Sequence, residues 1–212
     1  MEAIFSIIAI PMMLLNFLAG IVGGIALLLQ GEWAIFALGL GYGLLGPLII
    51  SLLMLPGLVV AAPLAASSVQ KSGLLMGIFG LLAIAWTYIV ITFTSVTIFA
   101  MIIASPESGF FHLLWGYSSA TAPWSYMANK ERQSGNPDAG IPIFFLQLGT
   151  ISMMVGHGLF GAPPNQMLLW FLPFALLGLT AQFVIAMLVA REERRFSPAF
   201  RPRPPRRIVD VE

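Results

Sequence analysis

Only two charged residues, Glu32 and Lys71, interrupt the chain between Ala3 and Ser105, and each falls in a short gap between long apolar runs. The charge-free runs 3–29, 33–66, 74–104, 141–160 and 167–190 all reach the roughly 18 to 20 residues that cross a hydrocarbon layer. Soluble domains do not carry five runs of this kind. The expected fold is all-α: a polytopic transmembrane helix bundle over 1–190, followed by a disordered, basic tail over 191–212.

Composition agrees, with 58% hydrophobic and 9% charged residues, the signature of the multi-pass membrane class. The formal net charge of +1 conceals an asymmetry, because seven of the ten Lys and Arg residues follow Ala190. Cysteine is absent, which excludes disulfides, thiolate metal sites and a cysteine nucleophile. The first residues lack the positive n-region of a secretory signal, and the apolar run behind them is too long for a signal h-region, so it reads as a retained first span.

Breaks within the runs shape the expected topology. Pro11 and Asn16, followed by Gly20, Gly23 and Gly24, call for neighbours that satisfy the freed backbone groups. Run 33–66 would be about 51 Å long as one helix at 1.5 Å per residue, so one crossing is expected over 33–55, with a kinked or interfacial remainder broken at Pro56-Gly57 and Pro63. Ser105-Pro106-Glu107 reads as a helix start, with Lys130 and Arg132 at the other end. The segment 110–128 between them is uncharged but rich in Ser, Thr, Gly and aromatics. It is either a sixth span shielded by its neighbours or an aromatic segment lying in the interface. Six spans place all ten basic residues on one side, whereas five give nine to one, so the positive-inside rule favours six, with five the alternative. The stretch 133–140 is then a cytoplasmic loop and 161–165 an external turn. The expected location is integral to a membrane, the bacterial cytoplasmic (inner) membrane, with the C-terminus cytoplasmic.

Small residues four apart, Gly20 with Gly24, Gly39 with Gly43 and Gly73 with Gly77, have the spacing of close helix packing. The denser cluster Gly39, Gly41, Gly43 and Gly46 ahead of Pro47 predicts a flexible or broken helix. No Asp, Glu, Lys or Arg falls in the middle of a run, which argues against an ion-driven carrier and against an intramembrane hydrolase. Gly116 to Ser119 is not a nucleophile elbow, so no catalytic and no metal-binding residue is assigned.

His112 and His157 are the candidate cofactor ligands. Both are expected near the external face, where a bis-His haem would use such a pair. The simpler reading makes each an interfacial residue bonded to a backbone carbonyl, with no cofactor. The polar spine of the fourth helix, Ser118, Ser119, Thr121, Trp124 and Ser125, must face other helices or water, either as interhelical glue or as the lining of a small cavity.

The tail offers Arg191, Arg194, Arg195, Arg201, Arg203, Arg206 and Arg207 to anionic lipid headgroups, where each basic residue contributes roughly 1 kcal/mol. Docking of a cytoplasmic partner through its Pro-Arg segment is the alternative. Nucleic acid is not an expected partner, because the tail has no folded domain or stacking platform. The leading functional reading is a non-catalytic subunit or scaffold of a membrane assembly, with a membrane-protein partner or a second copy of the chain. A permease or channel-like protein for a neutral or lipophilic solute is the alternative, and a haem-binding or other membrane enzyme comes third.

Overall fold

A computed structural model describes the backbone of residues 2–66, 72–133 and 140–196. Among these residues there are six helices and no strands: α1 (Glu2–Gln30), α2 (Trp33–Ala61), α3 (Gly73–Ile103), α4 (Phe110–Gln133), α5 (Gly140–Phe160) and α6 (Met167–Phe196). Long helices joined by short connections must run in alternating directions. One end of the bundle therefore gathers 31–32, 104–109 and 161–166, and contacts at that end agree. The Ser108 hydroxyl lies 3.4 Å from Nε2 of His157 at the end of α5, and Glu32 and Glu107 are both within electrostatic reach of His112.

Helix α4 stands in the middle, packed against α1, α2, α3 and α5, while α6 closes the bundle against α5 and α3. Its aromatic and hydroxyl side chains fit because its neighbours remove theirs. A Cβ on Gly23 would come within 2.7 Å of the Trp115 backbone nitrogen, and one on Gly24 within 2.9 Å of the Trp115 ring. On α2, a Cβ on Gly39 would strike Trp115 and Ser119, and one on Gly46 would strike Pro123. Trp115, Ser119 and Pro123 are spaced by four along α4, so one face of that helix sits in the glycine notches of α2. The same device closes α5 on α6, where Gly149 faces Phe171 and Gly156 faces Trp170.

Burial is inverted relative to a protein in water. Outward positions hold large apolar side chains such as Leu29, Leu44 and Val59, at 84%, 73% and 74% exposure. The interior holds Asn16, Thr94, Ser95, Ser119, Thr121, Gln147 and Thr150 beside Phe99, Phe171 and Met153. Among the described residues, four segments are long and apolar enough to cross a membrane: 11–30, 33–65, 74–103 and 164–185. Helix α5 adds a shorter apolar stretch, Phe144–Phe160.

Several expected features differ. Helix α2 does not stop near residue 55 but continues through Pro47 and Pro56 to Ala61 before a 3-10 turn at Ala62–Ala65. Pro56 frees a carbonyl one turn back, and the neighbouring carbonyl of Leu53 accepts the Trp86 indole at 3.0 Å. The glycine cluster before Pro47 therefore leaves the helix unbroken. Helix α4 begins at Phe110, not at Pro106, because Ser105 and Pro106 are spent on a turn closed by the Ser108 amide donating to the Ser105 carbonyl at 3.0 Å, with Pro at the second turn position. Helix α6 carries Arg191, Arg194 and Arg195 through to Phe196, so the helical part extends past residue 190. A Cβ added to Gly43 or Gly77 would meet nothing within 4 Å, so their spacing marks no crossing inside this chain. The surroundings of Gly73, together with Lys71, the 134–139 loop and Arg201, Arg203, Arg206 and Arg207, lie outside the described residues.

Neighbouring glycines on α2 should consequently differ sharply. Gly39→Leu is expected to destabilise the protein in detergent by roughly 1–3 kcal/mol, the usual cost of overpacking, whereas Gly43→Leu should leave its melting temperature unchanged or slightly raised, as removal of a helical glycine does. Equal losses for the two variants would contradict the notch assignment.

Candidate functional site: the polar seam between α1 and α4

Between Ile7 and Leu29 of the first helix, Asn16 is the one polar side chain. Asn16 is buried at mid-length in α1 and faces α4. Its amide nitrogen donates to the Thr121 hydroxyl, and its carbonyl oxygen accepts from the Ser118 hydroxyl at 2.9 Å. Thr121 in turn donates to the Tyr117 carbonyl at 2.8 Å, one turn back on its own helix. Gly20 lies one turn after Asn16, where a Cβ would come within 2.5 Å of the Ser118 oxygen, so the missing side chain lets the hydroxyl approach.

On the opposite side of α4, the Trp124 indole donates to the Ser95 hydroxyl at 3.0 Å, and Ser95 donates to the Ala120 carbonyl at 3.2 Å. The Trp115 indole donates to the Ile35 carbonyl at 3.1 Å while its ring stacks on Phe36 at 5.2 Å. Three indoles, those of Trp86, Trp115 and Trp124, thus tie one helix to another through their single N–H.

The sequence-derived spine divides into two kinds of residue. Ser118, Thr121 and Trp124 each take part in one of these interhelical bonds. Ser119 and Ser125 are buried, and their hydroxyls have no hydrogen-bond partner among the described residues. Ser118 and Ser125 also line a groove of about 440 Å³ between α1 and α4, together with Met13, Asn16, Phe17 and Asn129.

The two histidines lie at the end of the bundle that holds the 104–109 turn, but each is engaged locally. His157 donates from Nδ1 to the Ala162 carbonyl at 2.8 Å, leaving Nε2 to accept from Ser108. His112 accepts the Gly109 amide at Nδ1, 3.4 Å away, which puts its proton on the buried Nε2.

Asn16, central to the seam, and Ser95, on α3 across α4 from it, do not stand out as site residues in the sequence to the same degree. For Asn16 a signal exists: a lone amide inside an apolar span has to find a partner. Ser95 gives none, since a single serine among Thr92, Thr94 and Thr97 does not declare which helix it faces.

Comparison with protein-family models, with curated proteins and with solved structures returned no match. The class therefore rests on the fold and the site themselves: an all-α bundle of apolar helices, of the kind that builds a membrane protein, organised around a polar central helix.

A double-mutant cycle on Asn16→Ala and Ser118→Ala, followed by unfolding in mild detergent, should give a coupling of about 0.6 kcal/mol and at most about 1.7, the range of interhelical hydrogen bonds within membranes. Strict additivity would contradict the bond across the α1–α4 crossing.

Proposed function

We propose that the protein is a six-span integral membrane protein of the bacterial cytoplasmic membrane, with both termini cytoplasmic, acting as a non-catalytic subunit or scaffold of a membrane assembly. The alternation of helices supports the topology. If all six cross, the end that gathers 31–32, 104–109 and 161–166 carries Glu32 and Glu107 and no Lys or Arg, while all ten Lys and Arg belong to the other. That is the asymmetry the positive-inside rule describes. The arginines at the end of α6 and beyond then hold the C-terminus against anionic headgroups.

The observation that carries the assembly reading is the difference among the glycines. Notches at Gly23, Gly24, Gly39, Gly46, Gly149 and Gly156 are filled from within the chain, whereas Gly41 and Gly43 on α2 and Gly77 and Gly80 on α3 have nothing within 4 Å. These unfilled positions lie on helices whose outward faces are bare apolar surface, and small residues let a further helix approach closely. A permease for a neutral, lipophilic solute is the second reading, favoured by the groove between α1 and α4.

In mild detergent the intact protein should run as a complex, with a membrane-protein partner or with a second copy. Gly43→Leu and Gly77→Leu together should release it while leaving the thermal stability of the chain intact. A wild-type protein that is monomeric and alone by native mass spectrometry would overturn this reading. Topology is tested separately on the naturally cysteine-free chain. Lys71→Cys should resist an impermeant maleimide added to intact cells while Asn165→Cys reacts, and external labelling at position 71 would refute the six-span arrangement.

A further inference from the structure

We propose that the groove between α1 and α4 binds the uncharged polar head of a membrane amphiphile, a lipid whose head presents hydroxyl or ester oxygens and no net charge. This goes beyond the assembly reading and does not rest on it. The groove's volume of about 440 Å³ lies within the roughly 300–1,000 Å³ of small-molecule sites, and its two walls differ in chemistry.

Apart from Asn16, the α1 wall is apolar and opens sideways. Met13, Phe17 and Ile21 line it and are 37%, 65% and 42% exposed, so on the outside of a membrane bundle an acyl chain reaches them from the lipid. The α4 wall is polar. Ser118, Ser125 and Asn129 fall at i, i+7 and i+11 on one helical face, with the small Ala122 between them. At 1.5 Å per residue this stripe runs about 16 Å, from mid-helix toward the Lys130 end.

The groups lining the groove retain unused hydrogen-bonding capacity. Asn16 has spent one N–H on Thr121 and one lone pair on Ser118, which leaves it one donor and one acceptor site. Ser118 donates to Asn16 and keeps its oxygen free to accept. Ser125 is 8% exposed, and its hydroxyl is buried without a partner among the described residues. It does not bond back to its own helix, as Thr121 does. In hydrocarbon an unpaired hydroxyl is costly, so these groups call for an occupant that both donates and accepts.

The charge of that occupant follows from the lining. No Asp, Glu, Lys, Arg or His among the described residues lines the groove, so a charged head drawn down beside Ser118 would lie unpaired at depth, which the bilayer penalises heavily. A neutral glycerol-type head meets hydroxyl and amide partners there, with its chains lying along Met13, Phe17 and Ile21.

The test uses the full chain in phosphatidylcholine nanodiscs doped with a diacylglycerol that carries a photoreactive diazirine in one acyl chain. Cross-links should map to 13–21 on α1 and 118–129 on α4. Unlabelled diacylglycerol should compete them away, and phosphatidylglycerol should not. Ser125→Ala should lower the labelling about fivefold, the equivalent of one hydrogen bond, with the melting temperature unchanged. Ala122→Leu, which fills the groove and leaves every polar group in place, should abolish it, and it serves as the deciding variant should Ser125→Ala fail to fold. Labelling spread evenly over the outward face of α2, or insensitive to the groove variant that folds, would overturn the proposal. Equal competition by phosphatidylglycerol would overturn it too, since that outcome assigns recognition to a phosphate.

Discussion

A helix bearing Ser118, Ser119, Thr121, Ser125 and four aromatic residues with polar tips, Trp115, Tyr117, Trp124 and Tyr126, cannot face hydrocarbon, because each unpaired polar group there costs several kcal/mol. The arrangement of the other helices follows from covering α4. Four of them pack directly on it, and each crossing is close because one partner gives up a side chain. Gly23 and Gly24 make room on α1, Gly39 and Gly46 on α2, and Gly158 on α5 faces Leu113. On the α3 side the relation reverses: Gly116 belongs to α4 and receives Phe99 and Ile102 from α3. Lipid tails are as apolar as leucine, so the association of these helices rests on close packing and hydrogen bonds and not on an expulsion of water. The glycine notches supply the first and the hydroxyl, amide and indole contacts the second.

The proline-containing helix α2 carries further side-chain hydrogen bonds to its carbonyls. Proline inside α2 removes the amide donors to the carbonyls of Gly43 and Leu52, four residues back, and nearby carbonyls accept extra bonds, that of Leu53 from the Trp86 indole at 3.0 Å and that of Pro47 from the Ser51 hydroxyl at 2.7 Å. Gly57 makes the former possible, since a Cβ there would lie within 2.5 Å of the Trp86 ring. Adjacent proline and glycine thus differ in role: one interrupts the backbone ladder and the other admits the indole that ties α3 to α2.

Much of this is legible in the sequence, and the reasons for the exceptions are physical. Run 74–104 becomes Gly73–Ile103 and run 141–160 becomes Gly140–Phe160, because the absence of charge over twenty or more residues dictates a helix with few alternatives. The polar spine of α4 is also visible, since its residue types are unusual for a span. Direction around each helix axis is not. Gly39 and Gly43 are equivalent as letters four apart, yet one faces Trp115 and the other faces outward. That difference depends on where α4 lies, which is tertiary information. Pro106 misleads because the same dipeptide signal, Ser-Pro, serves a helix start and a β-turn equally well. Asn16 shows that it needs a partner but not which one, and its pairing with Ser118 and Thr121 joins residues more than a hundred positions apart.

The proposed six-span topology requires α4, the least apolar of the six helices, to pass from one face of the membrane to the other inside a sheath of its neighbours. Its 24 residues span about 36 Å, enough to cross. Single cysteines at its two ends test this most directly, using Glu107→Cys in the preceding turn and Lys130→Cys near its close, each in intact cells and in inverted vesicles with an impermeant maleimide. Position 107 should react only in cells and position 130 only in inverted vesicles. Reaction of both from the same side would place α4 along the interface and contradict the crossing.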